Sequence, residues 1–152
     1  MTADEDAVRV AAFAELDPVT AYRLWALRSQ VFVVEQDCVY LDLDGRDLEP
    51  GARQWWIERD GVPVAALRVL DDGGPPRIGR VVTRRDCRGQ GLAALLVHAV
   101  LEAAGDRPVV LAAQSHLVDW YAALGFVPDG PGFLEDGIPH TPMRRESRRD
   151  VP

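Results

Sequence analysis

Cysteine is scarce in this sequence: Cys38 and Cys87 are the only two among 152 residues. They form no CxxC pair and no Cys/His spacing of the kind that binds zinc. We therefore expect no disulfide framework and no metal ion in the functional site. Two thiols without such a pattern are typical of a reducing compartment, so we expect the protein in the cytoplasm.

Long apolar runs are also missing. No stretch approaches the ~20 apolar residues that a membrane-spanning helix needs. The first residues include Asp4, Glu5 and Asp6, whereas a secretory signal peptide starts with positive charge followed by an apolar core. We expect neither a signal peptide nor a membrane as a partner.

Positive charge is in the minority. Lysine and arginine number 17 against 24 aspartates and glutamates, which leaves a formal charge of −7. This balance argues against nucleic acid as a partner and is compatible with a cationic substrate. The length predicts a single domain over 1–152, with its core at about 8–145 and a polar tail over 146–152. The oligomeric state stays open, and a homodimer is one possibility.

Hydrophobic periodicity and turn signals predict a mixed α/β fold with the order β-α-β-β-β-α-β-α-β-β. Asp17-Pro18 is typical of a helix start. Asp60-Gly61 is typical of a hairpin turn. Strands are predicted over 8–13, 54–59, 62–70, 77–83 and 109–113, and in fragments up to residue 145; helices are predicted over 18–36, with a break near Val33, and over 90–104 and 117–124.

A glycine-rich turn connects the predicted strand at 77–83 with the helix that follows it. Its sequence is Arg88-Gly89-Gln90-Gly91. A helix N-terminus offers unpaired N–H groups and a positive dipole end, so this turn suits a phosphate or pyrophosphate. The turn also fits the dinucleotide fingerprint G-x-G-x-x-A, but that site needs a carboxylate after the next strand, which here ends in Ala113-Gln114. A turn without a ligand is the third interpretation.

Two motifs resemble those of GNAT acetyltransferases. Arg88 to Ala93 matches the family's R-x-x-G-x-G/A motif, which binds the pyrophosphate of CoA. Gln114 to Phe126 is similar to the element N-x-x-A-x-x-F-Y-x-x-x-G-F, with Gln114 in place of the usual Asn, Leu117 in place of Ala and Trp120 in place of Phe. Within this family, the segments 31–36, 44–48 and 135–140 resemble the ElaA-like branch.

This resemblance implies a mixed, mostly antiparallel sheet with flanking helices, in which strands 78–83 and 109–113 are splayed. The pantetheine arm of acetyl-CoA lies between these two strands, and a backbone N–H of the first strand holds the oxyanion. Tyr121 corresponds to the family tyrosine that protonates the leaving thiolate. The residues expected to bind the cofactor are Val81, Val82, Arg88, Gly89, Gln90, Gly91, Leu92, Ala93 and Gln114.

The general base is less determined. An amine of lysine type is mostly protonated at neutral pH, so a group must take its proton. Glu35, at the end of the first predicted helix, is our first candidate, and His116 and His140 are the others. The acidic turn that holds Asp42, Asp44 and Asp47 either attracts a cationic substrate or is simply solvated.

We expect acetyl transfer from acetyl-CoA to a primary amine, and two alternatives stay open. Arg28 with Phe32, and Asp44 with Asp47, are similar to the pattern of acyl-homoserine lactone synthases, which share the fold. A non-catalytic CoA-binding module is the second alternative.

Overall fold

The strands and helices follow the predicted order closely. The structure, a computed structural model, describes residues 6–146, so residues 1–5 and 147–152 of the acidic start and polar tail lie outside it. Within the described range there are eight strands: β1 Val8–Ala11, β2 Arg53–Arg59, β3 Val62–Leu70, β4 Arg77–Thr83, β5 Val109–Gln114, β6 Val127–Pro128, β7 Phe133–Glu135 and β8 Ile138–Arg145. The α-helices of this range are α1 Pro18–Arg28, α2 Leu92–Ala104 and α3 Val118–Ala122.

All eight strands belong to one sheet with the order β1-β2-β3-β4-β5-β8-β6, and β7 pairs with β8. The pair β4–β5 is parallel and the other pairs are antiparallel. The predicted fold class, a mixed and mostly antiparallel sheet with flanking helices, is confirmed. No helix of residues 6–146 is long and apolar enough to span a bilayer.

Alternation along the strands sends side chains to two separate cores. Ile57 and Ala65 pack with α2 on one face of the sheet. Their neighbours Trp56 and Ala66 pack with α1 on the other face. Helix α2 consists largely of Ala, Leu and Val, and it buries Leu92, Leu96, Val97, Val100, Leu101 and Ala104. Each large apolar side chain buried in this way contributes about 1.5–3 kcal/mol of transfer free energy.

Three predicted elements have a boundary that is wrong by two residues, each for a local reason. The first strand ends at Ala11 because the carboxylate of Glu15 accepts a hydrogen bond from the N–H of Ala12 at 2.8 Å and the chain turns. Helix α2 begins two residues later than predicted, since Gly89 and Gly91 both have positive φ. The short helix α3 is confined to Val118–Ala122, with a tighter turn over Ser115–Leu117 before it.

The largest difference concerns the helix predicted over 18–36. It is α-helical only to Arg28 and continues as a wider π-helical segment, Ser29–Glu35. The wider hydrogen-bond interval is seen at Gln36, whose N–H donates to the carbonyl of Val31, five residues earlier, at 3.0 Å. Val31 and Phe32 are both buried in this segment. Such π-helical turns are frequent at functional sites.

Candidate active site

A V-shaped gap opens between β4 and β5. The two strands pair only at Arg77 with Val110 and at Ile78 with Leu111. Beyond this point each strand runs on without the other, which leaves their facing edges free of a shared ladder. The gap is therefore a slot lined by backbone, and the divergence of the two strands sets its width.

A β-bulge in β4 faces this gap. Ala66 pairs with Val82 and Arg68 pairs with Gly79, so two residues of β4, Arg80 and Val81, stand opposite one residue of β3. Arg80 has a φ of 51°, a conformation that is uncommon for a residue with a side chain. A bulge interrupts the ladder and re-aims the local backbone. Val81 thus lies where the ladder to β3 is interrupted, and it lines the cavities on both sides of the gap.

The glycine-rich turn and the first turn of α2 form the next part of the site. Gly89 and Gly91 have φ values of 79° and 77°. A Cβ built on either glycine meets no atom within 4 Å, so the backbone here is open to an approaching group. The first N–H groups of α2 follow directly after this turn. They lie at the positive end of the helix dipole, which suits an anion.

A cavity of about 600 Å³, the first cavity, runs from this turn into the gap. It contains most of the residues predicted to bind the cofactor and three further candidates. Two predicted residues differ: the side chain of Gln90 accepts a hydrogen bond from Arg59, and Gln114 lines a second cavity. The lining includes Val81, Val82, Arg88, Gly89, Gly91, Leu92, Ala93, Glu35, His116 and Tyr121.

Arg88 and Glu35 form an ion pair inside the first cavity. Nη2 of Arg88 lies 2.7 Å from Oε2 of Glu35, and Nε donates to the carbonyl of Thr83 at 3.0 Å. The π-helical segment therefore brings its last residue to the glycine-rich turn. The prediction that Glu35 is the general base stays a prediction, and its carboxylate lies in the first cavity.

Tyr121 reaches the gap from α3. Its ring packs edge-on against Trp120 and Phe126, with centroids 4.8 and 6.0 Å away. Burial raises the pKa of Tyr121 to about 12, so the phenol stays protonated throughout the neutral range. Its side chain lines both cavities.

The second cavity, of about 460 Å³, lies on the other side of the gap. It meets the first cavity at Gln36, Val81, Leu117 and Tyr121, which line both. At its mouth the side-chain amide of Gln114 donates to that of Gln36 at 3.2 Å. Its far wall is the hairpin of β7 and β8, which carries Glu135, Asp136 and His140.

A buried network of charges forms the floor of the second cavity. Arg28, 1% exposed, donates to Asp42 at 2.9 Å and to Asp47 at 2.8 Å. Arg68, 4% exposed, binds Asp44 with two hydrogen bonds of 2.9 and 2.7 Å and donates to Asp47 at 3.2 Å. Burial by itself would raise the pKa of Asp47, but the hydrogen bonds and charges of these arginines outweigh it and hold the pKa below its usual value.

Arg80 completes the network from the bulge. Its Nε lies 2.8 Å from Oδ1 of Asp42, an ion pair in which neither atom has a well-aligned hydrogen bond. Its guanidinium also lies 5.3 Å from the ring centre of Tyr40. The interpretation of the acidic turn as solvated is thus wrong for Asp42 and Asp47, which are 7% and 5% exposed.

Comparison with known proteins gives consistent matches. The family model of the acetyltransferase (GNAT) domain matches residues 27–147. A UPF0039 protein of Mycobacterium tuberculosis is 47% identical over 151 residues, which are 96% of this chain and 97% of that protein. Protein ElaA of Escherichia coli is 41% identical over 140 residues, 88% of this chain and 92% of ElaA. The crystal structure of an acyl-CoA N-acyltransferase from Pseudomonas aeruginosa superposes with a TM-score of 0.85 at 41% identity, covering 91% of this chain and 98% of that one.

Proposed function

The chain belongs to the GNAT acetyltransferase family and to its ElaA-like branch, and from that premise we propose that it transfers an acetyl group from acetyl-CoA to a primary amine by direct attack. One observation carries the proposal. Val81 and Tyr121 lie where the two cavities meet. A thioester that enters through the first cavity and an amine that enters through the second would meet between a backbone donor and a proton donor.

The first cavity is the proposed cofactor site. The pyrophosphate of CoA would accept hydrogen bonds from the N–H groups of the glycine-rich turn and the first turn of α2. Arg88 supplies positive charge there and exchanges its bond to Glu35 for the phosphate. The pantetheine arm would lie along the free edge of β4 and bring the thioester to the bulge at Val81.

The chemistry requires the chain to stabilise charge at two atoms. When the amine nitrogen forms its bond to the carbonyl carbon, negative charge develops on the carbonyl oxygen, and the N–H of Val81 would stabilise it. Removing one such donor typically costs about 3–4 kcal/mol of activation free energy. Collapse of the intermediate breaks the C–S bond, and the hydroxyl of Tyr121 would donate its proton to the sulfur.

The acyl-homoserine lactone synthase alternative has less support. Its residues Arg28, Asp44 and Asp47 are engaged in the buried network, and Phe32 is part of the core around α1. Packing and charge pairing therefore explain why these residue types stand at these positions. Neither explanation depends on which acyl donor the protein uses. The non-catalytic alternative accounts for the packing of the Tyr121 ring but assigns no role to its hydroxyl group.

Calorimetry followed by a thiol-release assay tests the proposal. We expect acetyl-CoA and CoA to bind and NAD not to bind, since β5 ends in Gln114 and not in a carboxylate. We then expect release of free CoA thiol with at least one amine of a panel of small amines and peptides. Binding of NAD without binding of CoA would refute the cofactor site. Binding of acetyl-CoA with no thiol release on the whole panel would favour the non-catalytic alternative.

The proposal includes a cytoplasmic location. Its support is that Cys38 and Cys87 are free, buried thiols, whereas oxidising compartments favour disulfides.

A further inference from the structure

The β7–β8 hairpin is a rigid wall of the second cavity. Its strands pair in the register Phe133 with His140 and Glu135 with Ile138. The turn between them consists of Asp136 and Gly137, with φ values of 53° and 77°. Two residues with positive φ are typical of a tight hairpin turn, which fixes the positions of the side chains on either side of it.

The ring of His140 is oriented by two contacts. Nδ1 lies 2.8 Å from the carbonyl oxygen of Ile138. Because a carbonyl can only accept, Nδ1 carries the hydrogen and Nε2 of the neutral ring keeps a free lone pair. The ring also stacks on Phe133, at 5.8 Å between centroids and 19° between planes. The side chain is 12% exposed and lines the second cavity.

The charges near Nε2 favour a cation. Oε2 of Glu135 lies 3.7 Å from Nε2. Asp136 follows in the turn, and its negative charge, after burial, adds to the rise in the pKa of Cys38 across the cavity. Each arginine that lines the cavity has a described aspartate as partner: Arg46 and Arg77 pair with Asp72, Arg68 with Asp44 and Arg80 with Asp42.

The remaining titratable groups of this cavity are neutral at physiological pH. Burial raises the pKa of Tyr121 to about 12. Burial also raises the pKa of Tyr40 to about 12, although Arg80 lowers it. The negative charge that faces His140 therefore comes from the hairpin itself.

The two other base candidates lie elsewhere. Glu35 and His116 line the first cavity, which the cofactor would fill, and they are not among the residues of 6–146 that line the second. Glu35 is in addition paired with Arg88 at 2.7 Å. Of the three candidates, His140 is the one on the side from which an acceptor would approach.

We propose that the β7–β8 hairpin is the acceptor site, where Glu135 and Asp136 attract a protonated primary amine and Nε2 of His140 removes its proton. This inference rests on the proposed acetyl transfer. The ammonium loses one proton to His140, which releases it to water. The neutral amine forms the C–N bond, the C–S bond breaks, and the sulfur takes a proton from Tyr121. The nitrogen gives up its second proton, which restores the phenol.

The first test measures binding without catalysis. The chain has three histidines, so their ring signals in a proton NMR spectrum can be assigned with His98→Asn, His116→Asn and His140→Asn. The probe is n-butylamine at pH 7, with n-butanol as its uncharged control. We expect n-butylamine to shift the His140 signal and n-butanol not to shift it. Glu135→Gln should weaken the response. Equal responses to both probes, no shift at His140, or a shift at His116 alone would overturn the inference.

The second test uses the thiol-release assay across pH with the best amine of the panel. General base catalysis is typically worth about 10²–10⁴-fold, so His140→Asn should slow the reaction at least tenfold at pH 7. The loss should shrink as pH rises towards ~10.4, the pKa of a lysine-type amine, because a growing fraction of the amine arrives neutral. His98→Asn is the matched variant and should overlay the wild-type profile, because His98 is exposed on α2 and lines neither cavity. His116→Asn and Glu35→Gln identify the rival bases, and neither should remove the pH dependence that His140→Asn removes. A His140→Asn profile that overlays wild type, or a loss confined to Glu35→Gln, would overturn the inference.

Calorimetry with acetyl-CoA distinguishes a failure of the proposed acceptor site from a failure of the proposed acetyl transfer. If His140→Asn binds acetyl-CoA like wild type and keeps its rate, the acceptor site is wrong and the proposed acetyl transfer stands. If the wild type does not bind acetyl-CoA, the proposed function itself fails.

Discussion

Replacement of Tyr121 by phenylalanine should remove the proton donor and keep the packing. The ring is 6% exposed and its edge-on contacts with Trp120 and Phe126 need no hydroxyl. The variant should therefore fold and bind acetyl-CoA as the wild type does. We expect kcat to fall by about 10²–10⁴-fold, the usual contribution of a general acid.

The raised pKa of the phenol sharpens this expectation. Burial raises the pKa of Tyr121 to about 12, whereas a free thiol has a pKa of ~8.5. Complete transfer from the phenol to a free thiolate would cost about 5 kcal/mol at 1.36 kcal/mol per pKa unit. A free phenolate is therefore unfavourable, and we expect the proton to reach the sulfur while the phenol regains one from the nitrogen. Since the phenol is the protonated form below its pKa, Tyr121 should cause no loss of rate up to pH ~10.

Tyr40→Phe is the matched control. Burial also raises the pKa of Tyr40 to about 12, against the opposing charge of Arg80, but Tyr40 lines only the second of the two cavities. Thiol release at saturating substrates should give a kcat within about threefold of wild type for this variant. The reasoning is refuted if Tyr121→Phe also stays within about threefold. An alkaline loss of rate below pH ~10 that Tyr121→Phe abolishes would refute it as well.

Two further variants test the cofactor turn and the buried network. Gly91→Val should weaken acetyl-CoA binding at least tenfold in calorimetry, because a branched side chain would occupy the space of the pyrophosphate. Gly73→Val has a similar φ, 89° against 77°, and equally open space, but Gly73 lines neither cavity and its replacement should leave the affinity unchanged; equal losses would contradict the cofactor site. Asp47→Asn should destabilise the fold by about 3–5 kcal/mol in denaturant titrations, since it leaves two buried arginines with one partner fewer. The folded-state pKa of Asp47 is lowered, so its contribution to the free energy of unfolding is present above the unfolded pKa of ~3.9 and disappears as pH falls through the folded value. The exposed Asp72 is the control: Asp72→Asn should change stability far less, and an equal effect would contradict the network.

The structure of the glycine-rich turn was predictable because its signal is contiguous. A strand, a turn with two glycines and an apolar helix follow one another within residues 77–104, and each step depends on local backbone preference. The hairpin around Asp60-Gly61 was predictable for the same reason, whereas the register shift between Ile57 and Glu58 in the same pair of strands was not. Both predictions depend only on residues that are close together in the sequence.

The π-helical segment had no such signal. The spacing of Leu24, Leu27 and Val31 is the same in an α-helix, and the pattern does not reveal that the chain widens after Arg28. What decides the difference is tertiary packing, since Val31 and Phe32 are both buried against the sheet. The position of Glu35 at the glycine-rich turn depends on this wider spacing, so its pairing with Arg88 was not predictable from periodicity.

The buried network was mispredicted because its partners are far apart in sequence. Aspartates are almost never buried unless they are paired. Arg46, the arginine within residues 42–47, pairs with Glu49 and Asp72 instead. The partners of Asp47 are Arg28 in the first helix and Arg68 in the third strand. Three arginines and three aspartates meet there, so the floor of the second cavity has little net charge of its own. In the proposed acceptor site, Glu135 and Asp136 on the opposite wall would then decide the sign of the charge that an acceptor meets. We therefore expect a cationic amine to bind there in preference to an anionic acceptor.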